Sequence, residues 1–136
     1  MTHRVTSTFS VRSYEVDSYA HLNNGVYLGW FEQGRLDHLQ SLGFTYDSLA
    51  ERRQWFVVGR TEIDFRKALN TGDEATLTSE VTSLGRSSVR YGQVLRDASG
   101  EVAAEGLTVM VFTDNTSSIP IPDDFRSAVE SGTPIA

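Results

Sequence analysis

The chain has 136 residues and a mass of 15.1 kDa, enough to bury one sizeable core and too little for two domains. Its 12 Lys+Arg stand against 18 Asp+Glu, and the resulting net charge of −6 argues against a sequence-independent grip on nucleic acid, which needs a surplus of cations. The absence of cysteine excludes disulfides, thiolate metal ligands and a cysteine nucleophile together, and fits a reducing compartment.

No apolar stretch approaches the roughly 18 residues of a membrane span, and the first residues lack the apolar run of a secretory signal, so a soluble, cytoplasmic protein with no membrane partner is expected. From residue 5 to 16 the chain is rich in Thr, Ser, Val, Phe and Tyr, with Val5, Phe9 and Val11 on one side of a period of two, which predicts a first strand. The stretch from Asp17 to Gly25 gathers turn formers, and Asn23 or Asn24 is suited to cap a following helix. Val26, Tyr27, Trp30, Phe31, Gly34, His38 and Leu42 then recur every three or four residues, opposite a polar side of Glu32, Arg35, Asp37 and Gln40, with Glu32 and Arg35 spaced to pair. This helix closes at Gly43. Gly29 and Gly34 inside it each cost about 1 kcal/mol of propensity, which predicts another backbone in close approach.

A looser segment follows, containing Asp47, Glu51 and Arg52-Arg53. Residues 56 to 65 alternate, with Val57, Gly59, Thr61, Ile63 and Phe65 on one face of a second strand. Asn70 to Asp73 punctuates, and Ala75, Leu77, Ser79 and Val81 mark the inward face of a third strand. After Gly85, the residues Val89, Tyr91, Gln93 and Leu95 mark a fourth, and Asp97-Ala-Ser-Gly100 reads as a hairpin loop into a fifth from about Glu101 to Thr113. Pro122 and two Asp then suit the first turn of a short helix that ends at Gly132. One long helix and five mostly antiparallel strands make a single α+β domain over 1–136, in which a curved sheet most economically wraps the helix.

Familiar catalytic motifs are missing: there is no P-loop, no Gly-x-Gly-x-x-Gly after a strand and no Gly-x-Ser-x-Gly elbow, and His3, His21 and His38 are too scattered for a zinc site. What remains is the junction from Asp17 to Tyr27. A carboxylate ends a strand, His21 and two Asn follow, and a helix begins whose free N–H groups form a cradle for an oxyanion. A carboxylate there can attack an acyl carbon or deprotonate a water. The residues alone leave open whether they do this or only cap the helix and fill a turn.

The string Asp17-x-x-x-His21-Leu-Asn-Asn24-x-x-Tyr27-Leu, preceded by Tyr14-Glu-Val and followed by Phe31-Glu32-x-x-Arg35, resembles the signature of hotdog-fold acyl thioesterases, in particular the 4-hydroxybenzoyl-CoA thioesterase-like branch and its acyl-ACP thioesterase relatives. Glu62-Ile-Asp-Phe-Arg, Thr71-Gly-Asp73 and Gly85-Arg-Ser-Ser-Val89 extend the likeness over about residues 5–114. The resemblance implies a hotdog fold, a thioester hydrolase without cofactor or metal, and a homodimer, or a homotetramer built from it, with its active sites between subunits. It places Asp17 as nucleophile or general base, backbone N–H groups near Asn24 as the oxyanion hole, His21 beside Asp17, and Tyr27 at the substrate. The alternatives within the same fold are an enoyl-thioester hydratase or dehydratase and a non-catalytic acyl-binding protein. Many members carry Gly where this chain has Ala20, small polar residues stand in for Tyr19 in others, and the Pro often found after the second strand is missing from Arg66-Lys-Ala68.

The net charge also conceals a division. Residues 52–96 hold eight basic residues against five acidic ones, and the remainder four against thirteen. Acyl-CoA, or the thioester of an acyl carrier protein, is the expected substrate, with some of Arg66, Lys67, Arg86 and Arg90 expected at the CoA phosphates. Arg60 and Ser88 occupy strand positions that fit either a pocket wall or an exposed sheet face.

Overall fold

The computed structural model describes residues 3–135. In chain order it has β1 (Val5–Ser10), a single 3-10 turn (Ser13–Glu15), α1 (Asn24–Ser41), α2 (Tyr46–Glu51), β2 (Trp55–Phe65), β3 (Glu74–Leu84), β4 (Ser88–Asp97), β5 (Val102–Thr113) and α3 (Asp123–Ser131). All strand pairs are antiparallel, in the order β1-β3-β4-β5-β2. The long helix α1 packs on β1, β3 and β4, and α2 on β2.

Alternation in the sequence sets the inner face of the central strands. Leu77 lies opposite Leu95, Ser79 opposite Gln93 and Val81 opposite Tyr91, and all six are buried. Along β4 the inward residues change from Tyr91 to Gln93 to Leu95, and this divides the core. At one end Phe56, Phe112, Phe125 and Phe44 meet ring to ring, with Phe56 and Phe112 stacked at 4.4 Å. At the other, Tyr27, Trp30, Phe31, Leu77 and Leu95 pack together. Between them lies a polar layer: Arg35 Nη1 donates to Gln93 Oε1 at 3.1 Å and Thr108 Oγ1 at 3.2 Å, and Gln93 Nε2 donates to the Phe31 carbonyl at 2.8 Å and to Ser79 Oγ at 2.9 Å.

Four expectations are corrected. Strand β1 stops at Ser10 and gives way to the 3-10 turn, so residues 11–16 are not part of it. The looser segment contains α2, begun by Thr45 and Ser48, each of whose hydroxyls takes the other's backbone N–H at 2.9 Å. In β2 the pairing slips between Val58 and Arg60, so Gly59 is an extra residue and the face reverses: Phe56 and Val58 lie opposite inward Phe112 and Met110, whereas Thr61 lies opposite inward Thr108. A strict period of two cannot see such a bulge. Finally, Arg35 is buried rather than on the polar side with Glu32, because Gln93 and Thr108 supply hydrogen-bond acceptors inside.

The two helical glycines separate cleanly. A Cβ on Gly34 would come within 2.6 Å of Leu77 Cδ2 and Ser79 Oγ, whereas one on Gly29 meets nothing within 4 Å. Only Gly34 is closely approached, and by side chains of β3 and β4 rather than by the expected backbone. We therefore expect Gly34→Ala to destabilise the fold by about 1–2 kcal/mol, overpacking outweighing helix propensity. Gly29→Ala should stabilise it by up to about 1 kcal/mol, and urea midpoints of the two variants check both signs.

Candidate active site

The loop between the 3-10 turn and α1 is held from three sides. Asn23 N–H donates to the Glu15 carbonyl at 2.8 Å, Leu22 N–H to the Leu69 carbonyl at 2.7 Å, and Asp17 N–H to the His21 carbonyl at 2.8 Å. His21 also bridges to Asn70, whose N–H is taken by Asp73 Oδ2 at 2.8 Å. The segment from Leu69 to Asp73 is thus the strap beneath the loop. It turns at Gly72, with φ +87°, whose N–H donates to the Val11 carbonyl at 2.9 Å.

Within the loop, Asp17 folds its side chain back over its own turn. Its Oδ1 accepts the N–H groups of Tyr19 at 2.9 Å and His21 at 3.3 Å. Oδ2 accepts none from the described residues, so one carboxylate oxygen orients the side chain and the other is free. Ala20 sits at φ +62°, the left-handed region that costs an L-residue roughly 1–2 kcal/mol, which explains physically why glycine suits that place.

The helix start is equally specific. Asn23 is the N-cap: its side-chain oxygen takes the Gly25 N–H at 2.8 Å and its carbonyl takes the Val26 N–H at 2.9 Å. That leaves the Asn24 N–H without a hydrogen-bond partner among the described residues, at the positive end of an 18-residue helix. Asp17, His21, Asn24 and Tyr27 line one cleft of about 250 Å³ with Leu22, Phe65, Arg66, Lys67 and Ala68. Tyr27 meets Phe65 edge-on at 4.9 Å in its lining, and burial raises its phenol pKa, so it stays neutral.

Residues 11–129 match the model of the thioesterase-like superfamily. The chain belongs to that superfamily. It is 30% identical over 123 residues to the long-chain acyl-CoA thioesterase FadM of Escherichia coli, covering 88% of this chain and 92% of the relative. It is 26% identical to the putative acyl-CoA thioesterase YneP of Bacillus subtilis, over 87% and 84% of the two chains. Among solved structures, a thioesterase of Thermus thermophilus complexed with coenzyme A and Zn is 32% identical and superposes with a TM-score of 0.84, covering 99% of this chain and all of that one. The fold is accordingly the hotdog, α1 wrapped by the curved sheet, and the chain is a hydrolase of thioesters.

This thioesterase brings six of the ten residues singled out in its sequence to one cleft: Asp17, His21, Asn24, Tyr27, Arg66 and Lys67. The other four do not line it. Arg60 points from the outer face of β2 and pairs with Glu62. Arg86, Ser88 and Arg90 lie at the start of β4, beside the β5 end that reaches Val111, whereas the cleft adjoins the opposite end of β5. The two cations in the cleft are already engaged. Arg66 meets Glu105 at 2.8 Å, and Lys67 bridges Asp97 and Glu101 at 2.6 Å each, which holds the Asp97 carboxyl well below the usual range. Leu22, Phe65 and Thr71–Asp73 stand in the stretches that carry the family likeness, but the sequence assigns none of them a place at the site. Thr71-Gly-Asp73 was visible as punctuation, but only the fold shows that it carries the loop of Asp17.

Proposed function

We propose that this thioesterase hydrolyses acyl-CoA to a free carboxylic acid and CoA in the cytoplasm, as a homodimer, with Asp17 acting on the thioester carbon as nucleophile or on a water as general base. The observation that carries this reading is the juxtaposition in one cleft of a free Asp17 oxygen and an unclaimed helix N-terminal N–H. A thioester carbonyl oxygen pointed at the Asn24 N–H gains stabilisation as it becomes an oxyanion, an effect worth about 3–4 kcal/mol per donor in water-excluded sites. In the nucleophilic route Asp17 forms a mixed anhydride, the CoA thiolate leaves, and water then cleaves the anhydride; in the other, Asp17 takes a proton from the attacking water. The relatives named for acyl-CoA and the neighbour holding coenzyme A support the choice of thiol.

His21 contributes through its backbone, which closes the Asp17 turn at both its N–H and its carbonyl. Tyr27 supplies an apolar wall. The ion pairs of Arg66 and Lys67 are exposed and screened by solvent, so they yield readily to a doubly charged phosphate. Free-thiol release from acyl-CoA esters of graded length, with an acyl carrier protein thioester and an enoyl-CoA alongside, tests the reading. Thiol release from at least one acyl-CoA is expected. Loss of the enoyl absorbance with no thiol release from any ester would make the protein a hydratase instead, and binding without turnover would make it a non-catalytic acyl carrier.

A further inference from the structure

Lys67 is the only lysine in the sequence; the other 11 of its 12 basic residues are arginine. It follows the end of β2 and lines the cleft that holds Asp17 and Asn24. Arginine stays protonated at any working pH, whereas a lysine that gives up its proton becomes an amine nucleophile. A protein that handles activated acyl groups thus carries its one side-chain amine beside the place where they react.

The β4–β5 hairpin draws that amine aside. Lys67 and Ala68 also line a neighbouring cavity of about 340 Å³, together with Asn70, Asp73, Asp97 and Ser99. The ammonium is held on that side, Nζ donating to Asp97 Oδ2 and Glu101 Oε2 at 2.6 Å each. Asp97 is fixed for this contact. Its Oδ1 accepts the Ser99 hydroxyl at 2.7 Å and the N–H groups of Ser99 and Glu101 at 3.0 Å each, which leaves Oδ2 for the lysine. Only 12% of its side chain is exposed, so it is a set receptor rather than a mobile surface charge. Asp97, and after it Glu101, raise the pKa of the Lys67 amine.

We infer that Lys67 is a latent acylation site, kept silent because Asp97 and Glu101 hold its amine protonated and turned toward the neighbouring cavity. The reaction they avert is transfer of the acyl group from sulfur to nitrogen. The neutral amine adds to the thioester carbon and the carbon–sulfur bond breaks; the departing thiolate takes up the proton that the nitrogen sheds, and an amide stands where the ammonium was. Hydrolysis returns the enzyme unchanged, but this product stays on the chain and removes a cation from the cleft. The inference rests on the thioester lying in this cleft and is independent of the part proposed for Asp17. A CoA phosphate that displaces the two carboxylates also keeps the amine charged, so the test uses a thioester without phosphates.

Wild type, Asp97→Asn, Glu101→Gln and the double variant are incubated with the acetyl thioester of N-acetylcysteamine at about pH 8.5, where an ordinary lysine is about 1% neutral amine. Peptide mass spectrometry then reads acetylation of Lys67 against that of the α-amino group, which meets the same thioester and so corrects for its hydrolysis. Asp97→Asn keeps an oxygen for the Ser99 and Glu101 donors, and Glu101→Gln leaves Asp97 in place, so the hairpin should hold in both. Relative to the α-amino group, Lys67 should be acetylated at least about tenfold faster in the double variant than in wild type, since each unit of pKa lost is tenfold in free amine. Each single variant should lie between them. Equal ratios in all four proteins, or a wild-type Lys67 that reacts as fast as the double variant's, would overturn the inference. Thiol release reports the hydrolase separately: turnover with equal ratios removes only the latent site, whereas no thiol release from this or any acyl-CoA ester removes the reading of the cleft on which it rests.

Discussion

Lowering the pH from 7 to 5 should remove about 2 kcal/mol of stability through one side chain, His38. His38 is buried on α1 with 1% of its surface exposed, its Nδ1 3.0 Å from the Tyr91 hydroxyl and its ring 5.4 Å from His3. Burial, with a smaller push from His3, lowers its pKa from 6.5 to about 4. The folded state therefore binds fewer protons than the unfolded chain between those values. The contribution of a neutral His38 is complete above pH 6.5, falls by about 1.4 kcal/mol per pH unit below it, and is spent near pH 4. The paired carboxylates of Asp97 and Asp124, whose pKa values are depressed by Lys67 and Arg52, add their losses only in more acid solution. Urea unfolding at pH 7, 6 and 5 should show the slope in the wild type and a flatter one in His38→Gln. Equal slopes in both would contradict it.

The larger effect is on activity. Asp17→Asn keeps an oxygen that accepts the Tyr19 and His21 N–H groups, so the turn should hold and the melting temperature should move little. The variant replaces the second carboxylate oxygen, which accepts no hydrogen bond from the described residues, with an amide nitrogen. An amide neither attacks a thioester carbon nor takes a proton from water, and the loss of such a group costs about 10²–10⁴-fold in rate, or roughly 3–5 kcal/mol in the transition state. The loss should fall on kcat, with KM nearly constant, because the role proposed for Asp17 is at the thioester carbon and not at the CoA phosphates.

The central strands were legible because their environment is regular. Ala75 to Val81 and Val89 to Leu95 each have one face against α1 and the other against solvent, and a period of two records that directly. β2 was half legible, since one extra glycine reverses its faces and leaves composition unchanged. Arg35 was misplaced for a different reason: a charged residue at a helical spacing reads as surface unless its buried acceptors, Gln93 and Thr108, are known to meet it, and both lie more than fifty residues away. The short helix α2 was missed because six residues hold too few turns for a period to emerge, although Thr45 and Ser48 are its cap.

At the site, local residues were readable and distant ones were not. Asp17, His21, Asn24 and Tyr27 fall within eleven residues, and one turn plus one helix cap is enough to gather them. Arg66 and Lys67 reach the cleft because β2 ends there. Arg60, Arg86, Ser88 and Arg90 share a charge type or a strand habit with them, but position along a sheet depends on register, which the sequence carries only through pairing partners far along the chain.

The most direct measurement of the central claim is kcat for thiol release from an acyl-CoA by wild type and Asp17→Asn prepared side by side, with thermal melts of both. Wild-type turnover and a loss of about 10²–10⁴-fold in a variant that melts with the wild type is the predicted result. Comparable rates in the two proteins would contradict a catalytic Asp17.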